Sequence, residues 1–117
     1  MRIVTAGSSG FCRGVKLAMD KALAAAETLD HIYSLGPLIH NPQEIARISR
    51  KVIPVESLDD IAERPAAVMI RSHGVPPQVL ARASQLGLSV VDGTCPFVAR
   101  AQHKAAEFIS LGCELFI

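Results

Sequence analysis

The sequence lacks the features by which several broad classes of protein are recognised. It contains no tryptophan and one tyrosine, and its largest cluster of basic residues is the pair Arg50-Lys51. A nucleic-acid-binding surface needs clustered positive charge or aromatic rings for stacking, so this class is not expected. Charged residues make up 20% of the chain and the formal net charge is +1. This composition is typical of a folded globular protein and not of a disordered one.

Long apolar runs are also missing. No stretch approaches the roughly 18 apolar residues that a membrane-spanning helix needs. Residues 1–5 (MRIVT) contain no apolar core of the kind that marks a secretory signal peptide. We therefore expect a cytoplasmic protein without a membrane partner. Cysteine is scarce, and three cysteines in 117 residues argue against a disulfide framework while leaving metal binding or catalysis open.

The chain does contain alternating strand and helix patterns. Apolar residues recur at helical spacing over residues 15–29, and residues 66–71 form a nearly continuous apolar run, as expected of a parallel strand buried on both faces. Asn41-Pro42 and Ser57 are typical helix starts, and Pro54 favours an edge position for its strand. The pattern predicts an α/β fold with a mostly parallel sheet and helices on both faces. Further strands are predicted at 1–6, 32–35, 52–55, 88–92 and 113–117, and further helices begin at Pro76 and Pro96.

Two cysteines lie in similar turns. The segments 10–15 (GFCRGV) and 93–98 (GTCPFV) each place a cysteine two residues after a glycine and three residues before a valine. Both segments lie between a strand pattern and a helix pattern, so a role beyond core packing is indicated for Cys12 and Cys95. Cys113 opens the last predicted strand at the opposite end, and we predict that it is a small buried apolar residue.

Four residues that can bind metals or anions follow predicted strands: Cys12, His40, His73 and Cys95. The carboxyl ends of parallel strands meet at one edge of a sheet, where helix N-termini favour anions and thiolates. We therefore predict that these four residues form a metal or anion site. Two alternatives stay open: a zinc-binding module that uses all four as a tetrahedral set, and a phosphate-ester-binding domain whose cysteines are structural.

The positions of four other polar residues in the predicted elements indicate roles for them. Arg71 and Asp92 stand at the ends of two predicted strands, where they can orient the loops of the site or solvate its rim. His31 lies in a loop between a helix and a strand, and His103 lies in the middle of a helix beside a lysine. We expect both of these histidines to face solvent.

Four segments together resemble the motifs of a known family. Residues 10–15 (GFCRGV), 38–42 (LIHNP), 71–75 (RSHGV) and 92–96 (DGTCP) match, in order and spacing, the motifs of the LytB (IspH) family of 4-hydroxy-3-methylbut-2-enyl diphosphate reductases. The resemblance extends over essentially the whole chain but covers only the N-terminal portion of the usual family length.

The resemblance implies a fold and a chemistry. Members of the family carry a [4Fe–4S] cluster held by three cysteines. They reduce an allylic diphosphate to isopentenyl and dimethylallyl diphosphates, with electrons from a donor such as ferredoxin or flavodoxin. By motif, Cys12 and Cys95 correspond to two cluster ligands, and His40 and His73 to residues that bind the diphosphate. The family has three similar α/β units, which divides this chain into a first strand and ligand turn (1–12), a complete unit (13–95) and the start of a second unit (96–117).

Part of the family's machinery has no counterpart in this chain. The third cysteine ligand, a further histidine, a proton-relaying glutamate and a Ser/Asn diphosphate cluster lie beyond Ile117 in the family. Cys113 does not stand in the motif of the third ligand, and Arg13 stands where the family commonly has a small residue. We therefore assign no catalytic residue within this chain and expect the chain by itself to be inactive.

Overall fold

The computed structural model describes residues 1–116. Between residues 13 and 110, strands and helices alternate as the apolar pattern predicts. The elements are α1 (Arg13–Leu29), β1 (Ile32–Leu35), α2 (Pro42–Ile48), β2 (Val52–Val55), a 3-10 helix (Leu58–Asp60), β3 (Ala67–Ile70), α3 (Pro77–Gln85), β4 (Ser89–Asp92) and α4 (Pro96–Ser110).

All four strands are parallel and stand in the order β2-β1-β3-β4. β2 is therefore an edge strand, as predicted from Pro54, because a residue without an N–H is tolerated where only one side of the strand is paired. Each pair of neighbouring strands is parallel, so every connection between them crosses over the sheet. This arrangement places the carboxyl ends of all four strands at the same edge.

Helices cover both faces of the sheet, because alternate strand residues point to opposite sides. On one face, Ile32 and Met69 pack with residues of α1 and α2. On the other face, Val68 packs with Leu58 of the 3-10 helix and Ala83 of α3. All four residues of β3 are buried, which confirms the interpretation of the continuous apolar run. The predicted fold class is confirmed.

Side-chain caps are present at two of the predicted helix starts. The Asn41 side-chain oxygen accepts a hydrogen bond of 3.1 Å from the backbone N–H of Glu44. Ser57 Oγ accepts from the Asp59 N–H at 3.2 Å, and the Asp60 carboxylate accepts from the Ser57 N–H at 2.9 Å. Each bond satisfies a backbone donor that a helix N-terminus leaves free, so these short elements begin where the sequence predicts.

Two predicted strands are not formed. Residues 1–6 have no strand partner, and Ile3 and Val4 are each 76% exposed. Residues 113–116 are not a strand either, and Ile117 lies outside the described residues. A strand needs a neighbouring strand for its backbone hydrogen bonds, and neither segment pairs with an edge of the sheet.

The predicted burial of Cys113 is also wrong, since this residue is exposed. It belongs to the cap that ends α4, in which Gly112 has a φ of +79° and the Cys113 N–H donates to the Phe108 carbonyl at 3.0 Å. The division of the chain at residues 12 and 95, and its place among three units, stay predictions. Among residues 1–116, no helix has the length and apolar character to cross a membrane.

Candidate metal and anion site

The strand order creates a topological switch point between β1 and β3. The chain leaves β1 through α2 to β2 on one side, whereas it leaves β3 through α3 to β4 on the other side. Where connections diverge in this way, the loops at the carboxyl ends of the two strands separate, and ligands bind between them. His40 follows β1 and His73 follows β3, so the topology brings both histidines to this point.

His40 and His73 lie side by side at this edge of the sheet. Their ring centroids are 6.5 Å apart and their planes are inclined by 25°, which is a stacked arrangement. Both residues are exposed, so their ring N–H groups can donate hydrogen bonds to a ligand that arrives from solvent. The structure thus brings together the two histidines that the sequence predicts to bind a diphosphate.

The loop that carries His40 is fixed by buried contacts. The hydroxyl of Ser34, which is fully buried, donates to the Gly36 carbonyl at 2.7 Å, and the Gly36 N–H donates to the Val55 carbonyl at 2.8 Å. Leu38 and Ile39 are buried immediately before His40. Because the chain is anchored up to residue 39 and capped at residue 41, little freedom is left to the backbone of His40.

Cys12 and Cys95 occupy equivalent positions on two helices. Each is the N-cap residue with a φ of −62° and extended ψ, and neither side chain caps its helix. Their carbonyls accept the first helical hydrogen bonds, from the N–H groups of Lys16 at 3.0 Å and Ala99 at 2.9 Å. Both thiols therefore stand at the positive end of a helix dipole.

The turn that carries Cys95 is pressed against the end of the sheet. A Cβ at Gly93 would lie 2.1 Å from Met69 Cε and 2.6 Å from the Ile70 carbonyl oxygen, so only glycine fits there. The Cys95 N–H donates to the Ser72 carbonyl at 2.9 Å. This bond ties the Cys95 turn directly to the loop that carries His73.

The start of α1 packs against Cys95. A Cβ at Gly14 would lie 2.6 Å from Cys95 Sγ and 3.0 Å from Cys95 Cβ. Gly14 is buried and stands two residues after Cys12. The absence of a side chain at residue 14 thus allows the two cysteine turns to approach each other.

Gln102 and Lys21 contribute to the site, although the sequence patterns did not predict them. Gln102 Nε2 donates to the His73 carbonyl at 3.1 Å, and Lys21 Nζ donates to the Asp92 carbonyl at 2.7 Å. Gln102 stands about two helical turns after Cys95. The sequence spacing alone therefore indicates that both residues lie on the same side of the helix. Nothing in the sequence shows which loop lies opposite that face.

Asp92 organises the beginning of the Cys95 turn. Its Oδ1 accepts hydrogen bonds from the Thr94 N–H at 2.8 Å and the Thr94 hydroxyl at 2.6 Å. These bonds from Thr94 lower the pKa of Asp92, with a smaller contribution from the charge of Lys21, while partial burial acts in the opposite direction. The carboxylate is therefore ionised in its role as a hydrogen-bond acceptor.

A cavity of about 500 Å³ opens beside Cys95, lined among others by Gly14, Arg13, Lys16 and Phe97. Phe97 is 72% exposed. Arg13 and Lys16 bring two positive charges to the lining and Asp20 brings one negative charge, so the net charge of the lining is positive and attracts anions.

The four predicted site residues do not assemble as one tetrahedral set. In residues 1–116, no group of three or more Cys, His, Asp or Glu side chains is placed to hold a metal ion. Cys12, His40, His73 and Cys95 are all among these residues, so the zinc-module alternative is not supported by the geometry. Instead, the two histidine rings stack on each other, and Cys95 contacts Gly14 at the start of the helix that follows Cys12.

The family model described as LytB protein matches residues 3–117. This chain belongs to the LytB family. Curated relatives named 4-hydroxy-3-methylbut-2-enyl diphosphate reductase include those of Geobacter sp. strain M21, 42% identical over 118 residues, Syntrophotalea carbinolica, 44% identical over 118 residues, and Clostridioides difficile, 39% identical over 118 residues. Each alignment covers 100% of this chain and 41% or 42% of the LytB relative.

A solved structure in the LytB family has the same fold. It is the structure of (E)-4-hydroxy-3-methyl-but-2-enyl diphosphate reductase, the terminal enzyme of the non-mevalonate pathway. The two chains superimpose with a TM-score of 0.79 and 36% identity, over 94% of this chain and 39% of the solved one. The chain therefore spans about two-fifths of the length of the relatives that it matches.

Proposed function

We propose that this chain supplies part of the active site of a 4-hydroxy-3-methylbut-2-enyl diphosphate reductase. In this proposal Cys12 and Cys95 are two of three thiolate ligands of a [4Fe–4S] cluster, and His40 and His73 bind the diphosphate of the substrate. The contact of Gly14 with Cys95 carries the proposal, because it holds the two cysteine turns together at the sheet edge that also presents the histidines. The names of the relatives support the reductase activity in this proposal.

The residues present suit such a cluster. Cysteine thiolates are the usual ligands of iron–sulfur clusters, and both cysteines are free and stand at helix N-termini without capping bonds from their side chains. Gly14 leaves open the space that a Cβ would fill beside Cys95 Sγ.

When bound, the cluster supplies electrons and a Lewis-acidic iron for the reduction. The overall reaction takes up two electrons and two protons and releases the hydroxyl group of the substrate as water. The residues of this chain bind and orient the substrate. The ring N–H groups of His40 and His73 donate to diphosphate oxygens, and the positive charges of Arg13 and Lys16 attract the anion toward the cysteine side of the site.

In this proposal, the groups that transfer protons and supply electrons lie outside this chain. No residue of this chain is assigned to transfer the protons, so the chain by itself is expected to be inactive. The complete protein takes its electrons from a donor such as ferredoxin or flavodoxin, which are soluble proteins, and we place the reaction in the cytoplasm.

Anaerobic reconstitution of the complete protein with iron and sulfide tests the cluster. We expect a brown protein with broad absorption in the blue, iron and sulfide in the amounts of a [4Fe–4S] cluster, and an EPR signal after reduction. Cys12→Ser and Cys95→Ser are expected to lower the iron content strongly. Cys113→Ser is the matched control, since Cys113 is an exposed cysteine outside the two turns, and it is expected to retain the iron.

Turnover of the allylic diphosphate tests the histidines. His40→Asn and His73→Asn are expected to raise KM more than they lower kcat, because both remove hydrogen bonds to the diphosphate. His103→Asn, at an exposed position of α4, is the control.

Colourless protein without iron after reconstitution, or one bound zinc in place of iron, would overturn the proposal. If Cys113→Ser loses as much iron as Cys12→Ser and Cys95→Ser, the assignment of Cys12 and Cys95 as ligands is overturned.

A further inference from the structure

Arg71 connects the two histidine loops. It follows β3, two residues before His73, and its side chain crosses to the loop of His40. There the guanidinium lies against Gly36, and Nη1 donates to the Pro37 carbonyl at 3.4 Å, which is longer than an ordinary hydrogen bond. The side chain therefore bridges the loops that end in His40 and His73, whose rings are stacked.

The turn at Gly36 is shaped to receive the guanidinium. Gly36 has a φ of +72°, and a Cβ at this residue would lie 3.2 Å from Arg71 Nη1 and 3.3 Å from Arg71 Cζ. On its other side the turn is held by the Ser34 hydroxyl and the Val55 carbonyl. A planar guanidinium can lie flat on a glycine, whereas the tetrahedral ammonium of a lysine cannot.

We propose that Arg71 is a positioning residue that fixes the loops of His40 and His73 relative to each other, and so sets the spacing of the two imidazole rings. The effect on ring geometry is a property of the fold alone. The consequence for ligand binding rests on the proposed function, in which the two rings bind a diphosphate.

NMR of the full chain labelled at histidine tests the ring geometry without any ligand. The wild-type chain is expected to show a nuclear Overhauser effect between the rings of His40 and His73. In Arg71→Met this effect disappears and the signals of both rings shift. His31, whose Nε2 lies 3.0 Å from Glu63 Oε2, and His103 are internal controls whose signals stay in place.

Gly36→Ala tests the same bridge from the other side. An added Cβ displaces the guanidinium, so this variant is expected to weaken the Overhauser effect between the two rings, in the same direction as Arg71→Met. Gly87→Ala is the matched control, because Gly87 has a φ of +68° but no heavy atom within 4 Å of an added Cβ. It carries the same backbone strain and is expected to keep the Overhauser effect. Circular dichroism verifies that each variant is folded.

Binding of inorganic diphosphate, measured by calorimetry, tests the consequence. Arg71→Met is expected to weaken binding roughly tenfold, and Arg71→Lys, which keeps a donor and the charge, to restore part of the affinity. An unchanged Overhauser effect between the rings in Arg71→Met overturns the positioning role, whether or not binding falls. If the rings separate in Arg71→Met but the wild-type chain does not bind diphosphate, the diphosphate role of the histidines is overturned and the positioning role is supported.

Discussion

Gly14 lies against the sulfur of Cys95. Gly14 lies in α1 and Cys95 is the N-cap residue of α4, far away in the sequence, yet a Cβ at residue 14 would be only 2.6 Å from Cys95 Sγ. The contact places the turn of Cys12 next to the turn of Cys95, because Gly14 belongs to the first turn of the helix whose N-cap position Cys12 occupies. Two candidate thiolate ligands thus share one small region of the sheet edge.

Gly14→Ala tests the importance of this contact. The added methyl group displaces Cys95 or the start of α1, and overpacking of this kind costs about 1–3 kcal/mol. Alanine in a helix is favoured over glycine by about 1 kcal/mol, so a net loss of stability in urea unfolding shows that the contact dominates. Iron content of the complete protein is expected to fall as well. Gly7→Ala, which meets no heavy atom within 4 Å, is the control, and a Gly14→Ala variant as stable as wild type contradicts the prediction.

Gly93→Ala is expected to be more damaging. Its Cβ meets Met69 Cε at 2.1 Å and the Ile70 carbonyl oxygen at 2.6 Å. A methionine side chain can move away, but the backbone of a buried strand cannot, so we expect a loss of about 3 kcal/mol in the free energy of unfolding. Combining it with Met69→Ala removes only the first clash. If the double variant Gly93→Ala/Met69→Ala is as stable as Met69→Ala alone, the clash with the Ile70 carbonyl is unimportant.

Asp92 contributes stability that depends on pH. Its pKa in the folded chain is lowered from the ordinary value of 3.8, chiefly by hydrogen bonds from Thr94. A lowered folded pKa means that this stability is present above the unfolded pKa and is lost as pH falls below it through the folded value. Asp92→Asn is therefore expected to reduce the loss of stability in acid, below a pH of about 4.

Thr94→Val supplies the second arm of that test. It removes the hydroxyl donor at 2.6 Å from Asp92, so the pKa of Asp92, followed by NMR of the carboxyl carbon, is expected to rise toward its ordinary value. An Asp92 carboxyl group that titrates at the same pH in the wild type and in Thr94→Val would disprove the assigned cause.

Asn41→Ala is expected to destabilise α2 and disturb its neighbour His40. The variant leaves the Glu44 N–H without the acceptor that it has at 3.1 Å, and loss of such a cap typically costs about 1 kcal/mol. Asn41→Asp keeps an acceptor and is the matched control in urea unfolding. The His40 ring signal in NMR is expected to shift in Asn41→Ala and to stay near its wild-type position in Asn41→Asp; a shift of equal size in both variants would exclude the cap as the cause.

Local patterns were sufficient for most of the fold. The spacing of Ala18, Ala22 and Ala26 predicts one face of α1, and these residues are buried. The apolar run of β3 and the caps at Asn41 and Ser57 are also found where they were predicted. Each of these features depends on interactions within a few residues or on the general burial of apolar side chains, both of which can be read along the chain.

The wrong predictions concern two terminal segments that could form strands only beside another strand. Residues 1–6 and 113–116 have the apolar composition of strands, but no strand lies beside them in the described structure. Propensity alone does not form a strand, because its backbone hydrogen bonds must come from another segment. For the same reason Cys113 is exposed, although its apolar neighbours in the sequence predicted a buried residue.

By itself, the sequence determined the fold class, the family, and the position of Cys12, His40, His73 and Cys95 just before helix starts, because these features depend on local spacing and motif. Only the tertiary structure decided how the four residues are grouped. The strand order β2-β1-β3-β4 makes His40 and His73 neighbours, and the missing side chain of Gly14 lets one cysteine turn pack on the other. The order of strands and the approach of two backbones are set by packing between distant segments, which no local pattern records.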